Sequence, residues 1–387
     1  MAYDRDLNFI YRNPTRLIYG ENSINEVGLE ADALKCSRAF LVTDKGIVNA
    51  GLTERVEKAL GRKLAGTFDG CIQDSDLRII NDAAEIARGK GADILVSVGG
   101  GSVIDTTKGI AIVLKEGGKI EDYKGQQCLT RPQTPHIVIP TTAGTGSEVT
   151  YFAVIKDQVN HQKHPYCDDN IIPNVGILDP TMTAGLPPML TATTGMDAFS
   201  HALEAIHATP CSPVADGMAL HAIRLIMEYL PLCVENGKDL FARGQQLMAS
   251  TIAGIAFTNA QVGLVHAIAH TLGGLFQVPH GLANSLMLPH VVRYNMDTCA
   301  DKYVMIAQAM NIYAKGMSDE EASEAVAEAI TALTTRMGVP QRLRDVGVPE
   351  DGLVQLAEGT LSDGAIVYNP KPVFEAEEVL GIIKQAW

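Results

Sequence analysis

The chain has 387 residues, enough for two domains with their own cores, and its 46% hydrophobic and 20% charged residues are those of a globular protein. A formal net charge of -14 argues against nucleic acid and anionic membrane surfaces as partners, since both attract basic patches. The N-terminal stretch has neither a basic n-region nor an apolar h-region, no apolar run approaches the ~20 residues of a membrane span, and the seven cysteines form no C-x-x-C pair, so free thiols in a reducing cytoplasm are expected.

Residues 16–20 (RLIYG) and 38–43 (RAFLVT) read as strands around a helical pattern at 23–34. The second strand ends on Asp44. A carboxylate there can accept hydrogen bonds from ribose hydroxyls and repel a 2′-phosphate, or it can be a plain turn aspartate. Helical patterns at 52–60 and 76–89 lead to a third strand, 93–99 (DILVSVG), which runs through Gly99, Gly100, Gly101 and Ser102 into a helix at 103–115. Glycines let the backbone approach a ligand, and the helix N-terminus favours an anion such as a pyrophosphate; a tight turn with no ligand has the same pattern. The strand 136–140 (HIVIP) opens onto Thr141, Thr142 and Thr145, whose hydroxyls suit phosphate or ribose, or simply solvent. A last strand covers 174–179 (NVGILD). Strand–helix alternation with apolar strands predicts a parallel sheet covered on both faces, with all three loops at its carboxyl edge, where open α/β sheets bind ligands.

Near residue 185 the pattern changes. We expect an α/β dinucleotide-binding domain over 1–185 and an all-helical domain over 186–387, with the ligand crevice between them. Helical periods run over 191–208, 213–234, 240–258, 263–275, 282–296, 299–311, 318–337 and 372–386, punctuated by Gly281, Pro289, Gly338 and Pro340. In the first of them Asp197 and His201 stand four apart on an apolar helix. In the stretch GLVHAIAHTLGGLFQVPHG, His266 and His270 repeat that spacing and His280 follows. Residues four apart share a helix face, with Cβ atoms roughly 5–6 Å apart. Buried imidazoles need partners. Packed, hydrogen-bonded histidines are one solution; a divalent ion held by a carboxylate and several imidazoles is the preferred one. HAIAH lacks the glutamate of the zinc-protease H-E-x-x-H motif. A metal beside a nucleotide crevice points to hydride transfer rather than metal-assisted hydrolysis or nucleotide binding without chemistry.

The motifs GGGSVIDTTKGIA, PTTAGTGSEVT, TATTGMDAFSHALEA and GLVHAIAHTLGGLFQVPHG resemble those of the iron-dependent (group III) alcohol dehydrogenases, especially the lactaldehyde reductase and 1,3-propanediol dehydrogenase branch. The similarity runs almost end to end, from YG at 19–20 to DGAIVYNP at 363–370. It implies a dehydroquinate synthase-like fold and a cytoplasmic homodimer. It implies metal ligands at Asp197, His201, His266 and His280, with His270 beside the metal as a proton relay. Dinucleotide contacts are implied at Asp44, Gly99 to Ser102, Thr141, Thr142, Thr145 and Lys163. The flanks of Lys163, at His161, His164 and Pro165, depart from the family pattern. The implied cofactors are NAD and Fe2+, although such ligands also suit zinc, nickel or cobalt. The implied substrate is a short primary alcohol, diol or aldehyde. Where lactaldehyde reductases carry a smaller polar residue this chain has Phe152, which with Phe257 implies a less polar pocket. The full ligand set argues against the glycerol dehydrogenase and maleylacetate reductase branches.

Overall fold

The computed structural model describes residues 6–158 and 162–387. Its Cα positions divide the described residues into two compact units, Asn13–Leu186 and Pro187–Trp387, the latter including residues 6–12. Arg12 joins the helical unit because its N–H donates to Asn259 Oδ1 (2.6 Å) and its carbonyl accepts from Asn259 Nδ2 (2.9 Å).

The first unit contains strands β1 (Arg16–Tyr19), β2 (Ala39–Val42), β3 (Leu64–Phe68), β4 (Ile94–Gly99), β5 (Gly125–Gln126), β6 (His136–Pro140), β7 (Phe152–Asp157), β8 (Gln162–Cys167) and β9 (Val175–Leu178). Its helices are α1 (Val27–Ala33), α2 (Lys45–Asn49), α3 (Leu52–Leu60), α4 (Leu77–Gly89) and α5 (Gly101–Glu116). Six strands form one parallel sheet in the order β3-β2-β4-β6-β9-β1. Successive side chains on a strand face opposite ways, and here both faces are buried. Phe40, Val42 and Leu95 enter one core with Ile80, Ala84 and Ile110, while Ala39, Leu41, Val96 and Val98 enter the other with Val27, Val56 and Ile137. The doubly covered parallel sheet expected from the sequence is therefore present. The strand β3 was not expected: LAGTF sits at the sheet edge, half-buried, and so lacks the apolar run of its neighbours. A small second sheet, β5-β8-β7, was also not expected; its Ala153 and Ile155 cover the core beside α5.

The second unit is helical: α6 (Pro188–His207), α7 (Pro213–Glu235), α8 (Leu240–Ala260), α9 (Leu264–Phe276), α10 (His280–Ala309), α11 (Asp319–Arg336), α12 (Leu353–Thr360) and α13 (Ala376–Ala386). Almost every residue of α6 from Thr191 to His207 is buried, so α6 is a central helix rather than an amphipathic one. The break expected between 275 and 282 falls at 277–279, so that Gly281 lies in the first turn of α10. The expected helices 282–296 and 299–311 are one element, α10, that bends at Cys299 (φ -138°, ψ 36°); Pro289 lies inside it, where packing of Leu286 to Val292 outweighs the local proline cost. The short α12 was not expected. Among the described residues one helix, α7, is apolar enough to cross a membrane by length and composition (mean hydropathy 1.3), and α8 with α9, bent by 105°, passes only as a pair; none is expected from the sequence. Helix α7 packs along α6 and α8 and buries Asp216, as a core helix does. All seven cysteines are free thiols.

Candidate active site

In the helical unit, three elements bring the predicted ligands together. Asp197 and His201 lie on α6, His266 on α9, and His280 is the first residue of α10. Gly281 sets how near α10 comes to α6: a Cβ there would stand 2.3 Å from the Thr193 carbonyl oxygen and 3.3 Å from Asp197 Cβ. Only glycine permits that approach.

The Nε2 atoms of His201, His266 and His280 face Asp197 Oδ1 at 4.0, 3.9 and 3.5 Å. Asp197, His201 and His266 each offer one donor atom, all within 4.8 Å of one another, close enough to share an ion. Glu204 was not expected from the sequence. It lies one turn beyond His201, is fully buried, and takes the Val265 N–H at 2.7 Å and His266 Nδ1 at 2.5 Å. That partner holds the His266 proton on Nδ1 and leaves Nε2 as a lone pair. Burial, with His201 and His270 nearby, keeps His266 well below the ordinary imidazole range; desolvation lowers His280 too, against the pull of Asp197, although its side chain at the α10 terminus is 36% exposed. Neutral imidazole lone pairs thus face a carboxylate. Acceptors that face one another in a buried place need a cation or a donor between them. The residues fit a divalent ion: Asp197, His201 and His266 form the compact group, His280 joins it only through its 3.5 Å approach to Asp197, and no thiolate is among them.

His270 is turned elsewhere. Its Nδ1 pairs with Asp363 Oδ2 at 2.9 Å, and its ring stacks on His280 with centroids 5.3 Å apart. Burial alone would raise Asp363; the hydrogen bond and charge of His270, with the Ala365 N–H, outweigh it and hold that carboxyl below its usual range. Asp363 carried no local signal, being 93 residues from His270.

In the α/β unit, Asp44, Gly99 to Ser102 and Thr141 to Thr145 follow the carboxyl ends of β2, β4 and β6, which are neighbours in the sheet. Gly99, Gly100 and Gly101 form a cradle. A Cβ on them would meet Val103 at 2.5 Å, Thr142 at 3.1 Å and Thr145 at 2.7 Å. The α5 N-terminus behind them has no side-chain cap, so its N–H groups are open to an anion. These residues fit a dinucleotide pyrophosphate. Asp44 also caps α2, with Oδ1 taking the Ile47 N–H at 2.9 Å. Lys163 pairs with Asp74 at 3.1 Å, and the Asp74 N–H donates to Ser102 Oγ at 3.2 Å, which ties the lysine to the glycine loop. Its neighbour His161 lies outside the described residues. Behind the threonine loop, buried Lys108 donates to Thr150 O (2.9 Å), Thr150 Oγ1 (2.9 Å) and Phe152 O (2.6 Å), fixing the start of β7.

Two family descriptions match the chain: "Iron-containing alcohol dehydrogenase" over residues 14–180 and "Fe-containing alcohol dehydrogenase family, C-terminal" over 191–387. The chain belongs to the iron-containing alcohol dehydrogenase family. Among its relatives, 1,3-propanediol dehydrogenase of Klebsiella pneumoniae is 40% identical, over 98% of this chain and 99% of that protein. NAD-dependent methanol dehydrogenase of Bacillus methanolicus is 36% identical, over 96% and 98%. Lactaldehyde reductase of Escherichia coli K12 is 35% identical, over 95% and 97%. A crystal structure of a 1,3-propanediol oxidoreductase superposes with a TM-score of 0.96 at 39% identity, covering 98% of this chain and all of the other. The chain is thus an oxidoreductase of the iron-type alcohol dehydrogenase family, in the branch its motifs pointed to. In this alcohol dehydrogenase Phe257 lies in the helical unit and Phe152 in the α/β unit. Phe257 stacks on His201, centroids 4.2 Å apart and 15° from parallel, while Phe152 opens β7.

Proposed function

We propose that this chain is a metal-dependent NAD(H) alcohol dehydrogenase that interconverts a short primary alcohol or diol and its aldehyde by hydride transfer. The convergence of three imidazole Nε2 atoms on Asp197 Oδ1 carries the reading. When bound, a divalent ion (Fe2+ first, with zinc, nickel or cobalt also suited) supplies Lewis acidity toward the substrate oxygen, and NAD supplies the hydride acceptor. Asp197, His201, His266 and His280 would hold the ion, and Glu204 keeps His266 in the ligating tautomer. The α/β unit is the nucleotide-binding one: Gly99 to Ser102 cradle the pyrophosphate, Thr141, Thr142 and Thr145 add hydroxyls, Lys163 lies at the rim, and Asp44 reads the ribose. The NAD-dependent relative supports that cofactor. His270 Nε2 carries the proton to and from solvent, steadied through Nδ1 by Asp363. Phe257 beside His201 favours apolar substrates of a few carbons, as the names of the three relatives support. Seven free thiols support a reducing, cytoplasmic setting, and the family resemblance supports a homodimer.

The test follows nicotinamide absorbance with methanol, 1,3-propanediol and 1,2-propanediol, using chelator-stripped protein with and without added Fe2+ or Zn2+. Turnover with NAD and a primary alcohol that needs the added ion is the expected result. Metal-independent turnover, or ester hydrolysis without any nicotinamide change, would overturn the proposal.

A further inference from the structure

Asn284 lies one turn after His280 on α10 and is fully buried. Its Nδ2 lies 2.7 Å from Asp197 Oδ1 and 3.3 Å from the Nε2 atoms of both His266 and His280. Its Oδ1 is buried and takes no hydrogen bond among the described residues. The orientation of the amide follows from its surroundings. Glu204 holds the His266 proton on Nδ1, so His266 Nε2 can only accept, and Asp197 Oδ1 is a carboxylate oxygen. An amide oxygen turned toward them would place acceptor against acceptor; the NH2 end is the one that fits. Asn284 therefore supplies the donor that the facing lone pairs require.

An imidazole nitrogen has a single in-plane lone pair. It can accept a hydrogen bond or bind a cation, but not both. We propose that the Asn284 amide, whose two N–H groups are shared between Asp197 Oδ1 and the two longer imidazole contacts, holds Asp197, His266 and His280 assembled when no metal is bound and withdraws from the imidazoles when a divalent cation enters. The inference rests on the metal reading above. It makes Asn284 a positioning residue that acts mainly on the metal-free protein. Its effect has an unusual sign. Partners behind metal ligands ordinarily strengthen binding, and losing one costs 10- to 100-fold. A group that competes with the ion for lone pairs instead weakens binding while keeping the empty site in order.

Asn284→Ala separates these roles, with Co2+ as the probe. Melting temperatures are taken for metal-free and Co2+-loaded protein, and Co2+ affinity is read from its visible absorption in competition with a chelator. The metal-free variant should melt several degrees below wild type and the loaded variant by less than half that drop. Co2+ should bind about tenfold more tightly, as expected when hydrogen bonds to charged or lone-pair acceptors are lost only from the empty state. Equal drops in the two states would reduce Asn284 to packing, and weaker Co2+ binding would make it an ordinary ligand-orienting group; either overturns the inference. Asn284→Ser keeps one donor, should fall between the two proteins, and serves if the alanine variant does not fold without metal. Failure of wild type itself to bind Co2+ would bring down the metal reading and this inference with it.

Discussion

His266 and His270 are four residues apart on α9, yet their surroundings give them different chemistry. His266 is 2% exposed and has its proton committed to Glu204. His270 has a 30% exposed side chain, so its ring has a route to water, and Asp363 steadies its Nδ1. A metal ligand needs a fixed lone pair; a proton carrier needs a path to solvent. His270→Ala should therefore keep bound metal and lower kcat by about 10²-fold, the low end for general acid–base groups. The pH–rate profile should lose one of its limbs. Metal content by elemental analysis and kcat against pH check this together; an unaltered profile would leave His270 with a packing role.

At the scale of elements, the candidate site depends on how closely α10 approaches α6. Gly281 sits where a methyl group would strike the Thr193 carbonyl oxygen, and Gly195 where one would strike Leu230 Cδ1 at 2.2 Å. The first contact is with backbone, which has little room to yield, and it lies next to His280. Gly281→Ala should push the α10 terminus outward, cost about 1–3 kcal/mol as overpacking does, and weaken metal binding by carrying His280 away from Asp197. Denaturant unfolding and a Zn2+ titration would show both effects. Destabilisation with unchanged metal affinity would mean that α10 yields elsewhere, for instance at its bend near Cys299. The spacing of Asp197 and His201 along α6 was legible as one helix face, and so was that of His266 and His270; Glu204 on that α6 face and the pairing of His280 with Asn284 on α10 were not expected. The meeting of those faces was not legible, because it follows from the packing of three helices.

For the whole molecule, neutral histidines that are buried (His136, His207) or half-buried (His290) set the response to acid. Burial, with Lys108 nearby, pushes His136 down to about 3, and its Nε2 pairs with Ser97 Oγ. Burial pushes His207 down to about 4 against the pull of Glu204, and burial with Arg293 pushes His290 to about 4. The unfolded chain binds protons at these groups near the ordinary value of about 6.5, before the native state does. The stability these histidines contribute is thus complete above that pH and is lost as pH falls through it. Asp105 works in the other direction: burial raises it to about 6, so the native state takes its proton first. Burial raises Glu204 as well, which acts in the same direction as Asp105, but the histidines outnumber these two carboxyls and stability falls as pH drops toward 5. In metal-free protein His266 and His280 add to the same sign. The urea midpoint should change little from pH 8 to 7 and fall steeply from 6.5 to 5. A midpoint independent of pH across that range would mean these histidines are not held neutral.

Local sequence determined most of the elements and much of the candidate chemistry. Apolar runs such as ILVSV and HIVIP specify buried strands because a doubly covered sheet requires them, and four-residue spacing places Asp197 with His201 because helix geometry is set by neighbouring hydrogen bonds. The glycine run and its following helix are legible for the same reason. Tertiary structure decided what depends on distant partners. The strand β3 exists because β2 offers it an edge, although LAGTF alone is a weak strand. Pro289 and Gly281 stay helical because packing outweighs their local preferences. Asp363 reaches His270 across 93 residues, and Asn284 meets His266 only where α9 and α10 close together. No local pattern encodes such contacts, since they form only when the remaining helices of the unit fix both backbones in place.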